Sequence, residues 1–489
     1  MPDPMSEPQV TAASQAAARS APVPLRQKLG YAAGALVDGT SLHPLNIFLL
    51  FYVTSVCGLP AALAGAAIAA GLVVDAVADP LIGSSSDRLR SKWGRRLPFM
   101  LCAVPIVALS FTLIFSLPSE LNTTLLFLWL TTLSISLRIS VAAFLLPHQA
   151  LGAELTDNYA ERSTIMAMRW AFFMIGGLLG VALGFGVFFS GPTGLTVRDQ
   201  YPLFAMTLSG FILIGGLIAS RTAYATRGRE HEPQSEPVSI RSFIGDIAQV
   251  FSSASFRILF FGGALFFIGF GLNTILGLHA NTFFWRLTSG QMQLITMAML
   301  GGLLLAAPLA GPILSRLEKR TVLMGGVGAL MVIETVPVLL RLAGLFPFEG
   351  DVLAWILTGA SLVGGAMLGA AGIATASALA DAADEHEFLF GSRREGLYFA
   401  GWAFSNKAAS AIGTLVAGLA LQMMAFPADL VKEGGLSIDL PQQTINLLGL
   451  AYGPGAGLLS LGAILTFITY RIDRKRHAEI ITALHQSKE

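Results

Sequence analysis

Two aspartates lie four residues apart in an apolar segment of this chain, and this spacing could serve ion chemistry. Asp75 and Asp79 belong to the stretch GLVVDAVADPLIGSSSDRLRSKWGRR at residues 71–96. On a helix, residues four apart share one face and lie about 6 Å from each other. Burying an ionised carboxylate is costly unless it is paired, binds a cation or takes up a proton. The pair therefore predicts a cation or proton site; the alternative is that each acid pairs with a buried Arg or Lys.

The composition places these acids in a membrane. Of 489 residues, 54% are hydrophobic and only 12% are charged, which is far more apolar than an ordinary soluble domain. The net charge of +1 gives no strong overall field, so we expect no nucleic-acid partner. Cys57 and Cys102 lie in or beside apolar runs without metal or redox spacing, and we interpret them as packing residues.

Apolar runs of membrane-spanning length predict about twelve helices. They lie near residues 30–56, 61–86, 97–117, 122–147, 164–190, 201–221, 256–285, 291–316, 321–344, 352–380, 396–426 and 445–470. The predicted fold class is therefore an all-α integral membrane protein, with twelve transmembrane helices in two six-helix bundles.

Lys and Arg are concentrated in alternate connections and at both ends of the chain. This distribution predicts a multi-pass protein with both termini in the cytoplasm, in a cell membrane such as the bacterial inner membrane. The predicted organisation is a disordered cytoplasmic tail without a signal peptide at 1–27, an N-terminal bundle at 28–225, a cytoplasmic linker with an amphipathic helix at 226–255, a C-terminal bundle at 256–472 and a cytoplasmic tail at 473–489.

A short internal repeat supports the division into halves. PLIGSSSDRL at 80–89 and PLAGPILSRL at 308–317 share a proline, a leucine, a glycine and a final Arg-Leu pair. Each stretch ends the second predicted helix of its half. Two related six-helix halves are the organisation of the major facilitator fold, whose binding site lies between the halves near the bilayer midplane. The second half has Leu303 and Ala307 in place of the two acids, so the carboxylates are an addition to the fold.

Three longer stretches carry a family resemblance. DPLIGSSSDRLRSKWGRRLPF, PHQALGAELTDNYAERSTIMAMR and RREGLYFAGWAFSNKAASAIG resemble the signature stretches of the glycoside-pentoside-hexuronide:cation symporters, a melibiose permease-like family of the major facilitator superfamily. The similarity runs in register over about 28–190 and again around 380–425. The resemblance implies that Asp75 and Asp79 bind the coupling cation, that Lys407 lies near them, and that Arg169 contacts the sugar.

Departures from the family pattern bear on ion and solute. The sodium-coupled members would have an aspartate at position 145 and a threonine at 142, where this chain has Leu145 and Ala142. Because sodium prefers several oxygen ligands and a proton needs one basic group, we expect proton coupling rather than sodium coupling. The missing aspartate also contacts galactosides in the family, so melibiose is not the expected solute. The family's sugar-binding aspartate in helix one corresponds to Asp38 or, in a gapless alignment, to Gly39.

Further polar and aromatic residues are candidates for the cavity and for a gate. Arg138 in helix four could be the counter-ion of Asp75, Asp79 or Asp38, or form a purely structural ion pair. Trp129 and Trp402 could stack on a sugar face, although packing is the alternative. The expected gate, or simply topology-setting charge, consists of Asp87, Arg88, Arg90, Arg95, Arg96, Arg316, Arg393 and Arg394.

These observations predict a secondary transporter that works by alternating access. The expected reaction is symport of a sugar, glycoside or uronide with H⁺ or Na⁺, by a monomer, without a cofactor or resident metal. One alternative is a carrier of lysophospholipids or other amphiphiles with the same fold. A membrane-embedded enzyme would have to use His148, Glu154 and Asp157, and we do not expect one.

Overall fold

The computed structural model describes residues 22–89, 91–191, 193–229, 248–392, 394–427 and 440–486, and all regular structure in these ranges is helical. We number the long helices α1 to α13 in chain order. They are α1 Leu25–Val56, α2 Ala61–Arg88, α3 Leu97–Ile114, α4 Thr123–Glu154, α5 Ala160–Phe188, α6 Gln200–Arg229, α7 Ala254–Phe284, α8 Ser289–Arg316, α9 Lys319–Leu342, α10 Gly350–Phe390, α11 Glu395–Met423, α12 Gln442–Phe467 and α13 Arg474–Gln486.

Eleven of these helices are long and apolar enough to cross a membrane. The remaining long helix of the bundle, α11, has 29 residues, so it extends over about 44 Å and exceeds the hydrocarbon thickness. It packs between α2 and α7 as part of the bundle. The predicted all-α fold with two six-helix bundles is confirmed, and Lys407 of α11 lies at the contact with α2.

The two halves are built alike. In the first half, α1 packs on α5 and α6, α4 packs on α2 and α3, and α3 packs on α6; the second half repeats every one of these pairs with α7 to α12. The residue offset that relates α2 to α8 also relates two five-residue π-helical turns, Tyr52–Val56 and Ala280–Phe284, which end the first helix of each half. The short sequence repeat is thus the visible part of a repeat that covers whole bundles.

The predicted N-terminal tail needs correction where it is described, and the C-terminal tail contains a helix. Helix α1 begins at Leu25, and the Val23 amide donates a hydrogen bond to Glu161 Oε1 at 2.9 Å, so the residues just before position 28 are folded against α5. Within the predicted C-terminal tail, residues 474–486 form helix α13, whose Ile480 is buried. Residues 1–21, and 230–247 with most of the predicted amphipathic linker helix, lie outside the described residues.

The halves meet closely at one end of the bundle. We call the end where α1 begins and α12 ends the terminal face, and the other end the distal face. A Cβ atom on Gly418 of α11 would lie 2.5 Å from the carbonyl oxygen of Ala61 in α2, and one on Gly65 would lie 2.9 Å from the Gly418 Cα. Only glycine permits this approach, because any side chain would force the helices apart. The α2–α11 contact therefore closes the distal face between the halves.

A hydrogen-bonded histidine strengthens the same closure. His279 at the end of α7 is fully buried, and its Nε2 lies 3.0 Å from the hydroxyl oxygen of Thr54 in the last turn of α1. The ring packs beside Phe51 and Phe426, with centroid separations of 5.1 and 5.3 Å. Polar and aromatic contacts thus join α1, α7 and the segment that follows α11 at the distal face.

Candidate cation and solute site

The acid pair of α2 lies in the middle of its helix, at the boundary between the halves. Asp75 is buried, and the side chain of Asp79 is 26% exposed. Both carboxylates line one cavity of about 250 Å³. The one-turn spacing therefore has the consequence expected from the sequence, since both acids face the same space.

Lys407 of α11 reaches both carboxylates. Its Nζ lies 3.1 Å from Asp75 Oδ2, and it donates a hydrogen bond to Asp79 Oδ2. The Lys407 side chain is 30% exposed, so the ammonium group is accessible from the cavity. The ammonium group therefore lies between the two carboxylates of the acid pair.

Arg138 of α4 completes the charge balance of this cluster. Its Nη1 lies 4.0 Å from Asp75 Oδ2, and its side chain is 9% exposed. Asp75, Asp79, Lys407 and Arg138 carry two negative and two positive formal charges. Such balance is required because a single uncompensated charge in a low-dielectric interior is strongly destabilising. We call these four residues the charge cluster.

The cavity is lined by both halves and is mostly apolar apart from the charge cluster. Asn46, Thr274, Asn406, Ser410 and Thr414 provide neutral polar groups. The apolar lining residues are Leu42, Leu72, Val141, Ala142, Leu145, Leu146, Phe270 and Ile275, with Gly271 between α7 and α11. The lining combines a compact ionic region with apolar walls, as small-molecule sites generally do.

Two positions differ from the pattern of the symporter family that the sequence resembles, and both lie at this cavity. Ala142 and Leu145 line it together with Asp75 and Asp79. Their side chains offer no oxygen to a cation, so the oxygen supply beside the acid pair is reduced, as the sequence suggested. The neutral polar residues of α11 were missed in the sequence, although Asn406, Ser410 and Thr414 recur with Lys407 at the one-turn spacing that marks a helix face.

A second ion pair lies inside the N-terminal half. Arg169 Nη1 of α5 is 4.0 Å from Asp38 Oδ2 of α1. Asp38 Oδ1 is buried and has no hydrogen-bond partner among the described residues. Neither residue lines the cavity of the charge cluster. The structure thus pairs the two residues that the resemblance relates to sugar binding, and this pair lies outside the cavity of the acid pair.

The same region shows why helix one carries its acid at position 38 rather than 39. A Cβ atom on Gly39 would lie 2.3 Å from the carbonyl oxygen of Phe173, and one on Gly176 would lie 2.9 Å from the Gly39 carbonyl carbon. Position 39 is therefore a close helix crossing with α5 and leaves no room for a carboxylate. The acid of helix one that faces Arg169 is Asp38.

The structure places the two candidate stacking residues away from the cavity. Trp129 is 36% exposed, and the Trp402 ring packs on Gly263 and on Phe267, with a ring-centroid distance of 5.3 Å to the latter. Neither lines the cavity. The expectation that they stack on solute is not met in this conformation, because apolar residues on a membrane helix can face lipid or a neighbouring helix equally well.

The expected gate residues form ion pairs within the first half. Glu154, at the end of α4, accepts from Arg95 at 2.6 Å and from Arg96 at 2.7 Å, and Arg96 also pairs with Asp87 at 2.5 Å. Burial alone would lower the pKa of Arg96, but Glu154 and Asp87 raise it above its ordinary value. These contacts join α2, α3 and α4 at the terminal face and do not connect the two halves, because α4 ends beside the start of α3.

The other expected gate residues contribute less to the described contacts. Arg88 and Arg316, the last residues of α2 and α8, are exposed and form no ion pair with any described residue. Arg394 begins α11, where its carbonyl accepts from the amide of Leu397 at 3.0 Å. Arg90 and Arg393 lie outside the described residues.

Comparison with known proteins decides the family. The profile of the family described as MFS/sugar transport protein matches residues 30–474, which is nearly the whole chain. The chain belongs to this family. Its members are transport proteins rather than enzymes, in agreement with the sequence-based expectation.

Three relatives show the range of the family. An uncharacterised symporter of Synechocystis sp. is 38% identical over 161 residues, but this match spans only 32% of the chain and 30% of that relative. The glucuronide carrier protein homolog of Escherichia coli is 23% identical over 95% of the chain and 96% of its own length. The sodium-dependent lysophosphatidylcholine symporter 1 of Gallus gallus is 23% identical over 94% of the chain and 89% of its own length.

A solved structure confirms the fold. The inward-open xylose transporter XylE of E. coli superimposes with a TM-score of 0.60 at 13% identity, over 94% of this chain and 98% of that chain. The major facilitator fold predicted from the sequence is therefore confirmed.

Proposed function

We propose that the chain is a secondary transporter that moves a small solute together with a coupling cation by alternating access. The observation that carries the proposal is the position of Lys407, whose ammonium lies between Asp75 and Asp79 at the inter-half cavity. A coupling ion must compete with this ammonium for the same two carboxylates. Loading and unloading of the site therefore change the charge of the cavity, which is the property that ion coupling requires.

The proposed coupling ion is a proton. A metal cation such as Na⁺ would need several oxygen ligands beside the carboxylates, and Ala142 and Leu145 offer none at this wall of the cavity. A proton needs only one carboxylate oxygen and no coordination shell. Protonation of Asp79 would release Lys407 from one of its two contacts and leave the ammonium free to meet the solute.

Charge balance indicates the class of solute. The charge cluster is neutral when empty, and it gains one positive charge when a proton enters. An anionic solute, such as a uronide, restores neutrality, so the loaded cavity can close without an uncompensated charge. We therefore propose symport of one proton with one uronide-type glycoside, whose carboxylate meets Lys407 and whose apolar face meets the leucine-rich wall.

A lysophospholipid is the second candidate, because most of the cavity wall is apolar. A zwitterionic head group would leave the extra positive charge of the loaded cluster uncompensated. The balance of charge therefore favours the uronide, and the two candidates differ in whether transport carries net charge.

The test is uptake by purified protein in sealed vesicles. Labelled uronides, neutral glycosides and lysophospholipids are compared under an imposed proton gradient, an imposed sodium gradient and an imposed membrane potential. We expect uronide uptake that responds to an acid exterior and does not respond to the potential, because the translocated charges cancel. Uptake driven by sodium alone, or uptake of a neutral glycoside but no uronide, would contradict the proposal.

A further inference from the structure

A cluster of metal-ligand side chains lies at the terminal face, far from the charge cluster and outside its cavity. Asp381 and Asp384 belong to the last part of α10, one turn apart, and His477 belongs to α13. The His477 Nε2 atom lies 3.4 Å from Asp381 Oδ1 and 3.2 Å from Asp384 Oδ2. Three potential ligands from two different helices thus converge on one point.

The separations between these atoms are close to those between ligand atoms on one metal ion. A tetrahedral Zn²⁺ with ligand bonds of about 2.0 to 2.2 Å holds its ligand atoms about 3.3 to 3.5 Å apart. The two measured separations from His477 already lie close to this spacing, and all three ligand atoms lie within 4.8 Å of one another. Without a metal ion the imidazole hydrogen-bonds to Asp384 Oδ2 at 3.2 Å, and its 3.4 Å contact with Asp381 Oδ1 is longer than an ordinary N–H···O hydrogen bond.

The charges and neighbours of the cluster also suit a cation. Lys319 donates to Asp381 Oδ2 at 2.6 Å, which leaves Oδ1 directed toward His477. Asp381 itself is buried. The two carboxylates supply negative charge for a metal cation. A group that orients one carboxylate oxygen while the other binds metal is the usual supporting arrangement of protein metal sites.

We propose that Asp381, Asp384 and His477 form a binding site for a divalent transition-metal cation such as Zn²⁺. A mixed set of imidazole and carboxylate ligands selects such ions over Mg²⁺ and Ca²⁺, which prefer oxygen ligands alone and more of them. Water would fill the remaining coordination position.

The position of the site gives it a structural consequence. Helix α13 also contacts α8, because Arg474 Nη2 donates to the carbonyl oxygens of Leu314 at 2.7 Å and Leu317 at 2.9 Å. A metal ion that joins His477 to α10 would therefore fasten α13 across the terminal ends of α8 and α10. Metal binding should order the C-terminal helix without touching the charge cluster.

The test is metal binding by the full chain, purified in detergent with a tag that contains no histidine. Zn²⁺ is titrated against a chromogenic chelator. We expect one equivalent to bind the unchanged protein, and His477→Ala and Asp384→Asn to weaken binding at least tenfold. His485→Ala removes another histidine of α13, and this variant should still bind one equivalent of Zn²⁺. Asp384→Asn keeps the side-chain shape, so it tests the ligand even if His477→Ala disturbs folding.

A second measurement tests the fastening of α13. Lys475 and Arg476 are exposed and flank the site, so trypsin can cleave there when the helix detaches. Zn²⁺ should slow this cleavage in the unchanged protein and in His485→Ala, and have no effect in the two ligand variants, while Mg²⁺ at the same concentration should not protect. Absence of zinc binding, or equal binding in His477→Ala and Asp384→Asn, would overturn the proposal. Neither measurement depends on transport.

Discussion

Replacing Lys407 with methionine should destabilise the protein, and the double replacement with Asp79→Asn should cost less than the sum of the two single replacements. The Lys407 Nζ lies 3.1 Å from Asp75 Oδ2 and is hydrogen-bonded to Asp79. Lys407→Met leaves the charge cluster with one extra negative charge. Asp79→Asn leaves it with one extra positive charge, and the double variant is neutral again.

The size of the effect follows from the distance and the exposure. Two unit charges 3.1 Å apart attract by about 5 kcal/mol at an effective dielectric constant near 20. Truncating one partner of a fully buried pair costs about 3 to 5 kcal/mol. Since Lys407 and Asp79 are 30% and 26% exposed, we expect about 2 to 3 kcal/mol for Lys407→Met. The double variant should lose at least about 1 kcal/mol less than the sum of the single variants.

The assay is thermal unfolding of the four proteins in one detergent, followed by intrinsic fluorescence at a fixed heating rate, because unfolding of such a protein is irreversible and depends on scan rate. Lys407→Arg is the control, since it keeps the positive charge. Strictly additive shifts in the unfolding temperature would refute the energetic coupling of Lys407 with Asp79.

Three further variants test other parts of the structure. Gly418→Val should reduce uptake at least tenfold, because its side chain prevents closure of the distal face. Gly210→Val is the control and should leave uptake unchanged, since a Cβ atom there would have no neighbouring atom within 4 Å. Equal uptake by both variants would contradict the closure. Leu145→Asp should make uptake respond to sodium by restoring an oxygen ligand at the cavity, and a response to protons alone would argue against this. In thermal unfolding, Glu154→Gln should cost about 3 kcal/mol because two buried arginines lose one shared carboxylate. Asp87→Asn, whose side chain is 44% exposed, should cost less than about 1 kcal/mol; the reverse order would contradict the assigned contacts.

The architecture could be predicted from the sequence because its signals are long. Runs of about twenty apolar residues define membrane helices almost by length alone, and the paired PLIG and PLAG stretches lie in helices α2 and α8, which correspond residue for residue. The structure near the C-terminal end was harder to predict, because α13 is polar and short. Its order depends on contacts with α8 and α10 that no local pattern reveals.

The charged residues of the site could be predicted from the sequence, but the orientation of its candidate tryptophans could not. A charged side chain inside a membrane helix must meet a partner or a cavity, and the structure places Asp75, Asp79 and Lys407 together. Tryptophans carry no such requirement, so the sequence could not tell that Trp129 and Trp402 point away from the cavity. The pairing of Asp381 with His477 was also hidden, because it joins helices far apart in the sequence.

Uptake by the Asp79→Asn variant is the most direct test of ion coupling at the α2 acid pair. The variant and an Asp199→Asn control, which changes an exposed loop residue, are placed in sealed vesicles with labelled solute inside or outside. If the carboxylate of Asp79 binds the coupling ion, the variant will exchange or equilibrate solute but will not accumulate it under an imposed gradient, and the control will. Accumulation against a solute gradient by Asp79→Asn would contradict the coupling role of the acid pair.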